Sequence, residues 1–503
     1  MTDMLPDGVD AESLFSPFRN PSGLEAGAHS RRMAKFLPGR LHINTLMMQA
    51  GSTIAARCEW LVRNNSYASN ASVAWAAQTV GTGIAPTVQH AEPALKEEIQ
   101  QLWNDWVAES DADGLTDFYG QQRRASKSIF DSGEAFFRIR YRFAEDGLAV
   151  PMQLESIPSS QCPLWYNNVL TNGHIVRQGV EFDKIHRRVA YWMFRRNPTD
   201  RTDMIADPNL LVRIPSDQII HIFDPVEPKQ VRGVPKLAPA VAKLFLLDEY
   251  DDAELDRAKV QALFVGFIKK PTADSAVPLP IDPSSIDDMG NALLPMEPGG
   301  LQVLLPGEEI DFAQPTGVSG AYEAFQYRNL LAISAALGIP YQDLTNDLVQ
   351  ANYGSMRAGI IAFRRRVEQF QDSVIVHQLC RRVWSAWLDQ AVLTGALTLP
   401  GYSANPRPYR RVEWIRPRWE WVDPLKDLTA EKLAVDAGFK SRGDVITALG
   451  MDPAETDARI AADEERETRL GIRIGTVNPV QADPATDPAE ADPQPAKRPG
   501  VAR

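Results

Sequence analysis

The sequence predicts an α+β fold with an elongated plan, and three observations support this prediction. A body of helices followed by strands occupies the first half of the chain, up to about residue 233. One long helical segment follows this body, then a Pro- and Gly-rich segment, and then a second helical segment that returns. A still longer helical pattern covers 354–393, and 40 helical residues measure about 60 Å. Long helices that enclose a small insertion indicate an elongated protein that spans another structure, rather than a globule around a cleft.

The composition places broad limits on the function. The chain has 503 residues, of which 44% are hydrophobic and 23% charged, as in globular proteins of roughly three domains. It contains no apolar run of transmembrane length, and its first residues do not resemble a secretory signal, so we expect no membrane association. The formal net charge of −12 argues against a protein that attracts nucleic acid from a distance. It does not argue against a protein that DNA must pass without sticking.

The first part of the body is predicted to be helical. Residues 1–40 are rich in Pro, Gly and Ser, which predicts a flexible N-terminal arm. Two helical stretches follow between 42 and 80, separated by the turn signal Asn64-Asn65, and Gly81-Thr82-Gly83 ends the second. Further helices are predicted over Pro93–Glu109, with Trp103 and Trp106 on one face, and over 116–131.

The remainder of the body, to residue 233, is predicted to be rich in strands. The segment EAFFRIRYRF at 134–143 alternates apolar and basic residues, which is typical of a half-buried strand. More strand-like segments follow as far as Phe223. Among them His221 ends an apparent strand, where a histidine with structural hydrogen bonds is expected.

The second half of the chain is predicted to alternate between long helices and short connections. A helix is expected over 234–264 and a returning helix over 319–339, with short strands in the Pro/Gly-rich segment 265–318 between them. A mostly polar loop at 341–353 then leads to the long helix, whose apolar face includes Phe363, Val367, Trp384 and Trp387.

The C-terminal part is predicted to contain few strands. A strand pair is expected at 412–424, followed by charged helices over 429–449 and 453–470. The Pro-, Ala- and Asp-rich residues 473–503 are expected to be disordered.

The sequence contains no convincing catalytic or metal-binding pattern. No P-loop, GxSxG or HExxH motif is present, and Gly81-Thr82-Gly83 fits a helix end better than a dinucleotide loop. Asp111-Ala112-Asp113-Gly114 begins like a calcium loop but lacks the closing acidic residue, so a turn is expected. Three widely spaced cysteines predict buried free thiols. We therefore predict a protein without enzymatic activity, cofactor or metal.

One stretch concentrates positive charge, and two interpretations of it remain open. It lies in and after the first half of the long helix, and its members are Arg357, Arg364, Arg365, Arg366, Arg381 and Arg382. The polar face of a helix can pair with acidic neighbours, and arginine also suits contacts with phosphate.

Several stretches resemble the portal proteins of tailed bacteriophages, of the lambda family, in the family's order. They are LVRNNSYASNASVAWAAQTVGTGI (61–84), DADGLTDFYGQQRRASKSIFDSGEAFFRIR (111–140), QIIHIFDPVEPKQVRGVPKLAP (218–239), LLAISAALGIPYQDLTNDLVQANYGSMRAG (330–359) and WSAWLDQAVLTGAL (384–397).

The resemblance implies a ring of subunits, a homododecamer in the virion, around a channel for double-stranded DNA at one capsid vertex. It implies a division of each subunit into wing, stem, clip and crown. In this numbering the wing is 41–233 together with 340–425, the stem helices are 234–264 and 319–339, the clip is 265–318, and the crown is 426–472.

The resemblance also implies a role for the polar loop, which in portal proteins projects into the channel. The expected DNA-channel residues are Thr345, Asn346, Asp347, Gln350, Asn352, Tyr353 and Ser355, with Arg357, Arg364 and Arg365 as candidate phosphate contacts. Each phosphate that Lys or Arg neutralises releases counterions and adds affinity, so a basic lining would grip the duplex. Short uncharged amide side chains would form weak hydrogen bonds with successive phosphates and would release the duplex.

The implied partners are those of a portal vertex: other copies of this chain, DNA that passes without sequence specificity, the terminase motor, the major capsid and scaffold proteins, and head-completion adaptors. Two rivals remain open, a DNA-processing enzyme with an unfamiliar site and a non-viral ring or scaffold. A nuclease assay with divalent metal separates the first rival, because a portal protein should show no turnover.

Overall fold

The structure is a computed structural model that describes residues 39–202, 211–263, 267–269, 309–311, 321–349, 353–419 and 424–472. They divide into two units, one ending at Pro417 and the other starting at Arg418. The predicted arm, apart from residues 39 and 40, and the predicted tail lie outside the described residues. Within the described ranges, no helix combines the length and apolar character needed to cross a membrane.

The first unit contains most of the helices. They are α1 (Ile43–Asn64), α2 (Ser66–Thr79), α3 (Pro93–Glu109), α4 (Phe118–Asp131), α5 (Val241–Leu263), α6 (Ala321–Leu337), α7 (Tyr341–Thr345), α8 (Tyr353–Phe370) and α9 (Arg381–Leu393). The ten residues between α8 and α9, Gln371–Cys380, form a π-helix.

Capping residues explain why the early helices begin where they do. The Asn65 side chain accepts a hydrogen bond from the Ala68 backbone N–H at 3.0 Å and so starts α2 directly after α1 ends. Pro93 occupies the first turn of α3, where its missing N–H costs nothing. The predicted turn at Asn64-Asn65 and the predicted bounds of α3 are therefore confirmed.

Two further boundaries follow from the same chemistry. Asp117 accepts from the Gly120 N–H at 2.7 Å, so α4 begins at Phe118, two residues later than predicted. After α2, Gly81 and Gly83 adopt φ angles of 52° and 120°, which suit glycine. The interpretation of this Gly pair as a helix end is confirmed.

The strands of the first unit form small antiparallel sheets. They are β1 (Ala85–Val88), β2 (Glu134–Tyr141), β3 (Met152–Ile157), β4 (Asn168–Val169), β5 (Ile175–Arg177), β6 (Val180–Phe182), β7 (Arg188–Phe194), β8 (Leu211–Pro215), β9 (Ile219–Phe223), β10 (Phe267–Lys269), β11 (Glu309–Asp311) and β12 (Val412–Ile415). The sheet orders are β3-β2-β9, β4-β5-β6-β7-β8, β1-β12 and β10-β11. The strand-rich block predicted between 134 and 223 is confirmed.

Three segments differ from the predicted secondary structure. The strand pair expected at 412–424 is wrong in its described part, where β12 alone forms and pairs with β1, with Ala85 opposite Ile415. The helix expected over 234–264 starts later, at Val241, after the 3₁₀ turn Ala238–Ala240, and the returning helix expected to reach residue 339 ends at Leu337. The long helix starts at Tyr353 and contains the π-helix, which no side-chain pattern predicted.

The described part of the second unit contains three helices, α10 (Pro424–Asp436), α11 (Arg442–Ala448) and α12 (Pro453–Leu470). The single helix predicted over 429–449 is wrong. Gly438 has a φ of 74°, and Ser441 and Asp444 form a capping box that starts α11. The helix predicted over 453–470 is confirmed.

A cluster of four tryptophans joins the early helices to α9. Trp103 and Trp106 on α3 and Trp384 and Trp387 on α9 are all fully buried. The ring centroid of Trp103 lies 4.9 Å from that of Trp384 and 5.1 Å from that of Trp387. Aromatic side chains of this size contribute a large part of a core's buried area. The predicted apolar faces of both helices are confirmed by this burial.

A buried ion network crosses the centre of the first unit. The carboxylate of Glu134, at the start of β2, accepts hydrogen bonds from the Arg232 guanidinium and from His221 Nε2, the latter at 2.9 Å. Arg188 donates to His221 Nδ1 at 2.9 Å. Because a guanidinium can only donate, Nδ1 must accept, and His221 is neutral with its proton on Nε2. The expected structural role of this histidine is confirmed.

The network makes stability depend on pH. Burial lowers the pKa of His221 from 6.5 to about 4. Burial would raise the pKa of Glu134, but the charge of Arg232 and the hydrogen bonds outweigh it and lower that pKa from 4.5 to about 2. Both groups therefore bind protons more readily in the unfolded chain, so acid favours unfolding.

We expect the melting temperature of the full chain to fall as the pH is lowered from 6.5 towards 4, and to fall further below 4.5 as Glu134 contributes. His221→Gln, which retains a donor towards Glu134, should flatten the first part of this dependence. Melting curves of both proteins at pH 7.5, 6 and 5 provide the measurement. Parallel curves for the two proteins would contradict the assignment to His221.

Candidate functional site

The segment between α6 and α8 contains most of the predicted DNA-channel residues, and its first part is fixed to the body. Helix α6 ends at Leu337, and Gly338 reverses the chain with a φ of 69°. The Asn70 amide on α2 donates to the backbone carbonyls of Asp343 and Leu344, both at 2.8 Å. Leu344 is fully buried. The base of the segment is therefore anchored to α2.

The predicted continuous loop over 341–353 is wrong at its start, because Tyr341–Thr345 form α7. Thr345 Oγ1 donates to the Tyr341 carbonyl at 2.8 Å, so this hydroxyl is used within the helix. Asn346 ends the helix with a φ of 57° and is exposed to solvent. Asparagine tolerates this left-handed conformation better than most residues, which gives Asn346 a structural reason for its position.

The described end of the segment is not uniformly polar. Asp347 turns back and accepts from the Val349 N–H at 2.9 Å. Leu348 and Val349 are 61% and 92% exposed. These two apolar side chains, which the sequence did not single out, are therefore strongly exposed to solvent. An apolar side chain offers a phosphate neither a positive charge nor a hydrogen-bond donor, so it adds no affinity for the duplex.

The other predicted channel residues are described only in part. Gln350 and Asn352 lie outside the described residues. Tyr353 and Ser355 belong to the first turn of α8, and their side chains also lie outside what the structure describes. Their proposed contact with DNA stays a prediction.

The arginines do not form one continuous patch. Arg357 and Arg364 are partly buried on α8, whereas Arg365 and Arg366 are exposed. The π-helix separates them from Arg381 and Arg382 on α9, and Arg382 donates to the backbone carbonyl of Ser216 at 3.0 Å. Arg382 therefore contacts a backbone carbonyl. The sequence had suggested either pairing with acidic neighbours or contact with phosphate, and neither predicts this bond.

The remaining reactive groups occupy structural positions. Asp111 is buried and accepts from the backbone N–H groups of Leu115 and Thr116, both at 3.1 Å, which confirms a turn there. The three cysteines are buried free thiols that form no disulfide bond, as predicted. Burial raises the pKa of Cys58 to about 12 and that of Cys162 to about 11, and it also raises the pKa of Cys380. Thiols in such surroundings react slowly because the thiolate is scarce.

A family model and several sequence relatives connect this chain to phage portal proteins. The family model for phage portal protein, lambda family, matches residues 29–371. The probable portal protein of Halomonas phage phiHAP-1 is 28% identical over 419 residues, which cover 80% of this chain and 77% of that relative. Portal protein B of Escherichia phage lambda is 23% identical over 290 residues, and the match covers 52% of each protein.

A solved structure titled "Neck of native GTA particle computed with C12 symmetry" covers 82% of this chain and 94% of its own, with 16% identity and a TM-score of 0.43. The family assignment does not depend on this structural similarity. It follows from the family match, which spans more than half of the 503 residues and includes α1 to α8. The chain belongs to the lambda family of phage portal proteins.

Proposed function

We propose that this chain forms a ring of twelve subunits around a channel for double-stranded DNA at one vertex of a phage capsid. In this role it guides the genome during packaging and ejection and connects head to tail, without enzymatic activity of its own. The single observation that supports the proposal best is the family match over 29–371, which includes the segment between α6 and α8.

The proposal assigns the parts of the chain to the parts of a portal subunit. The wing comprises 41–233 and 340–425, α5 and α6 form the stem, residues 265–318 the clip, and the three helices of the second unit the crown. The segment from 341 to 353 lines the narrowest part of the channel. The anchoring of α7 by Asn70 supports this assignment, because a lining segment needs a fixed base.

The proposal also names partners. The terminase motor would dock at the clip, the major capsid and scaffold proteins around the wing, and head-completion adaptors below the clip. The assembled ring would belong to the virion and would form in the bacterial cytoplasm.

Electron microscopy of the purified full-length chain tests the proposal directly. We expect rings with a central hole wide enough for a DNA duplex. Residues 341–353 should face the hole in a reconstruction. A compact monomer under all assembly conditions, or rings in which these residues face outward, would overturn the proposal. A metal-dependent nuclease activity in the same preparation would favour the rival enzyme.

A further inference from the structure

A cleft in the first unit brings together cationic groups that the proposed channel does not use. It has a volume of about 210 Å³ and lies where the start of the α5 region, the end of α6 and the C-terminal part of α8 meet α2. Its lining includes Trp75, Asp224, Lys236, Gly338, Arg366 and Gln369.

Lys236 provides the first cation. Its Nζ lies 4.3 Å from the centroid of the Trp75 ring, which fixes the ammonium by a cation–π contact. Trp75 is itself buried and packs edge-on against Phe370, at 5.1 Å between centroids. Among the described residues, this ammonium has neither a hydrogen-bond acceptor nor a carboxylate at ion-pair distance. Burial lowers the pKa of Lys236; the carboxylate of Asp224 opposes this shift, and the charge of Arg366 adds to it.

Arg366 provides the second cation and comes from α8. Its guanidinium Nη1 would lie 3.1 Å from a Cβ atom placed on Gly338. The φ of 69° favours glycine at 338, and the guanidinium of Arg366 lies directly against this turn. Arg366 is exposed to solvent and also has no acceptor within the described part of the chain. Gln369, one turn further along α8, adds an amide to the same cleft.

We propose that this cleft binds a phosphate group, held between the Lys236 ammonium and the Arg366 guanidinium. Both side chains have donors without acceptors, and a phosphate supplies several acceptor oxygens in a small volume. A bound anion would also relieve the repulsion between the two cations. Asp224 lines the cleft as well, and its carboxylate opposes an anion, so binding should be weak and reversible.

Two ligands carry this phosphate group: free inorganic phosphate and the backbone of a DNA duplex. The DNA source rests on the proposed function, whereas the free-phosphate source does not. The site differs from the sequence expectation, because it uses Arg366 together with Lys236, 130 positions earlier in the chain, rather than Arg357, Arg364 or Arg365.

The site is tested by titrating the full-length chain with inorganic phosphate at constant ionic strength and measuring the heat of binding by calorimetry. We expect Arg366→Ala and Lys236→Met each to weaken binding about tenfold or more, because each removes a charged hydrogen bond. Asp224→Asn should tighten binding. The matched control is Arg123→Ala, which removes an exposed arginine on α4 that does not line the cleft and has no proposed contact with phosphate.

No phosphate binding by the wild-type protein, equal loss with Arg123→Ala, or equal binding of acetate would each overturn the site. Anisotropy of a short labelled duplex separates the two sources, because a loss with Arg366→Ala but not with Arg123→Ala assigns the site to DNA phosphate. Unchanged duplex binding, together with lost phosphate binding, supports the site with free phosphate as its ligand. Ring formation by electron microscopy is scored separately, so failure of the site is distinguishable from failure of the proposed function.

Discussion

Arg232→Met should lower the free energy of unfolding by about 3–5 kcal/mol, because it leaves the buried carboxylate of Glu134 without its cation. Both side chains are almost inaccessible to solvent, at 1% and 4% exposed. Arg232 also donates through Nη1 to the backbone carbonyls of Cys162 and Gln178, both at 2.8 Å. Its loss therefore leaves two buried carbonyls and one buried charge without these partners.

Denaturant unfolding of the full chain, followed by circular dichroism, provides the measurement. The control is Arg63→Met, which breaks the exposed i,i+4 pair with Glu59, 3.3 Å apart, and should cost less than about 1 kcal/mol. Adding Glu134→Gln to Arg232→Met should recover part of the lost stability, since it removes the unpaired charge. Equal costs for the two single variants would show that Arg232 is not the central cation of this core.

The sequence could not predict this network, for a physical reason. Glu134 and Arg232 are 98 positions apart, and they meet only because β2 pairs with β9, with Glu134 opposite Phe223. Pairing between strands depends on packing across the whole unit, whereas the local pattern around Glu134 reports only a half-buried strand. The same limit applies to β1 and β12, which pair across more than 300 residues.

Features set by local chemistry were predicted far better. Helix α3 has the predicted bounds, because Pro93 and the spacing of its apolar residues act within a few turns. The π-helix at Gln371–Cys380 escaped prediction, since one apolar face continues through it. Gln378 within it exchanges two hydrogen bonds with the backbone of Phe223, at 3.0 and 3.1 Å. That contact with β9 is tertiary and has no local signal.

The channel role of the candidate site stays a prediction. The family resemblance pointed to the segment that leads from α6 to α8, and the polar composition suggested a weakly binding surface. The short helix α7 involves tertiary contacts, namely the burial of Leu344 and the hydrogen bonds from the Asn70 amide to its backbone, which have no local signal. The sequence around Lys236 likewise does not indicate a phosphate site, because that site also requires Trp75 and Arg366, which the fold brings beside Lys236.

Gln350→Arg combined with Asn352→Arg should slow DNA filling in an in vitro packaging assay by about tenfold or more, because each added arginine can neutralise a phosphate and increase affinity for the duplex. In a ring, every such change is repeated in all subunits, so the added charge accumulates at one level of the channel. Higher salt should restore part of the rate, because screening weakens these contacts. Val349→Arg places the same charge at a described position and should have the same effect.

The control is Gln101→Arg, an exposed position on α3 where the new charge can pair with Glu97 and where no channel role is proposed. All variants should form rings of normal appearance in electron micrographs, so that a packaging defect is separated from an assembly defect. If the loop variants fill capsids as fast as Gln101→Arg, the segment does not touch the moving duplex. The channel lining would then have to lie elsewhere on the inner face of the ring, even though the family assignment would stand.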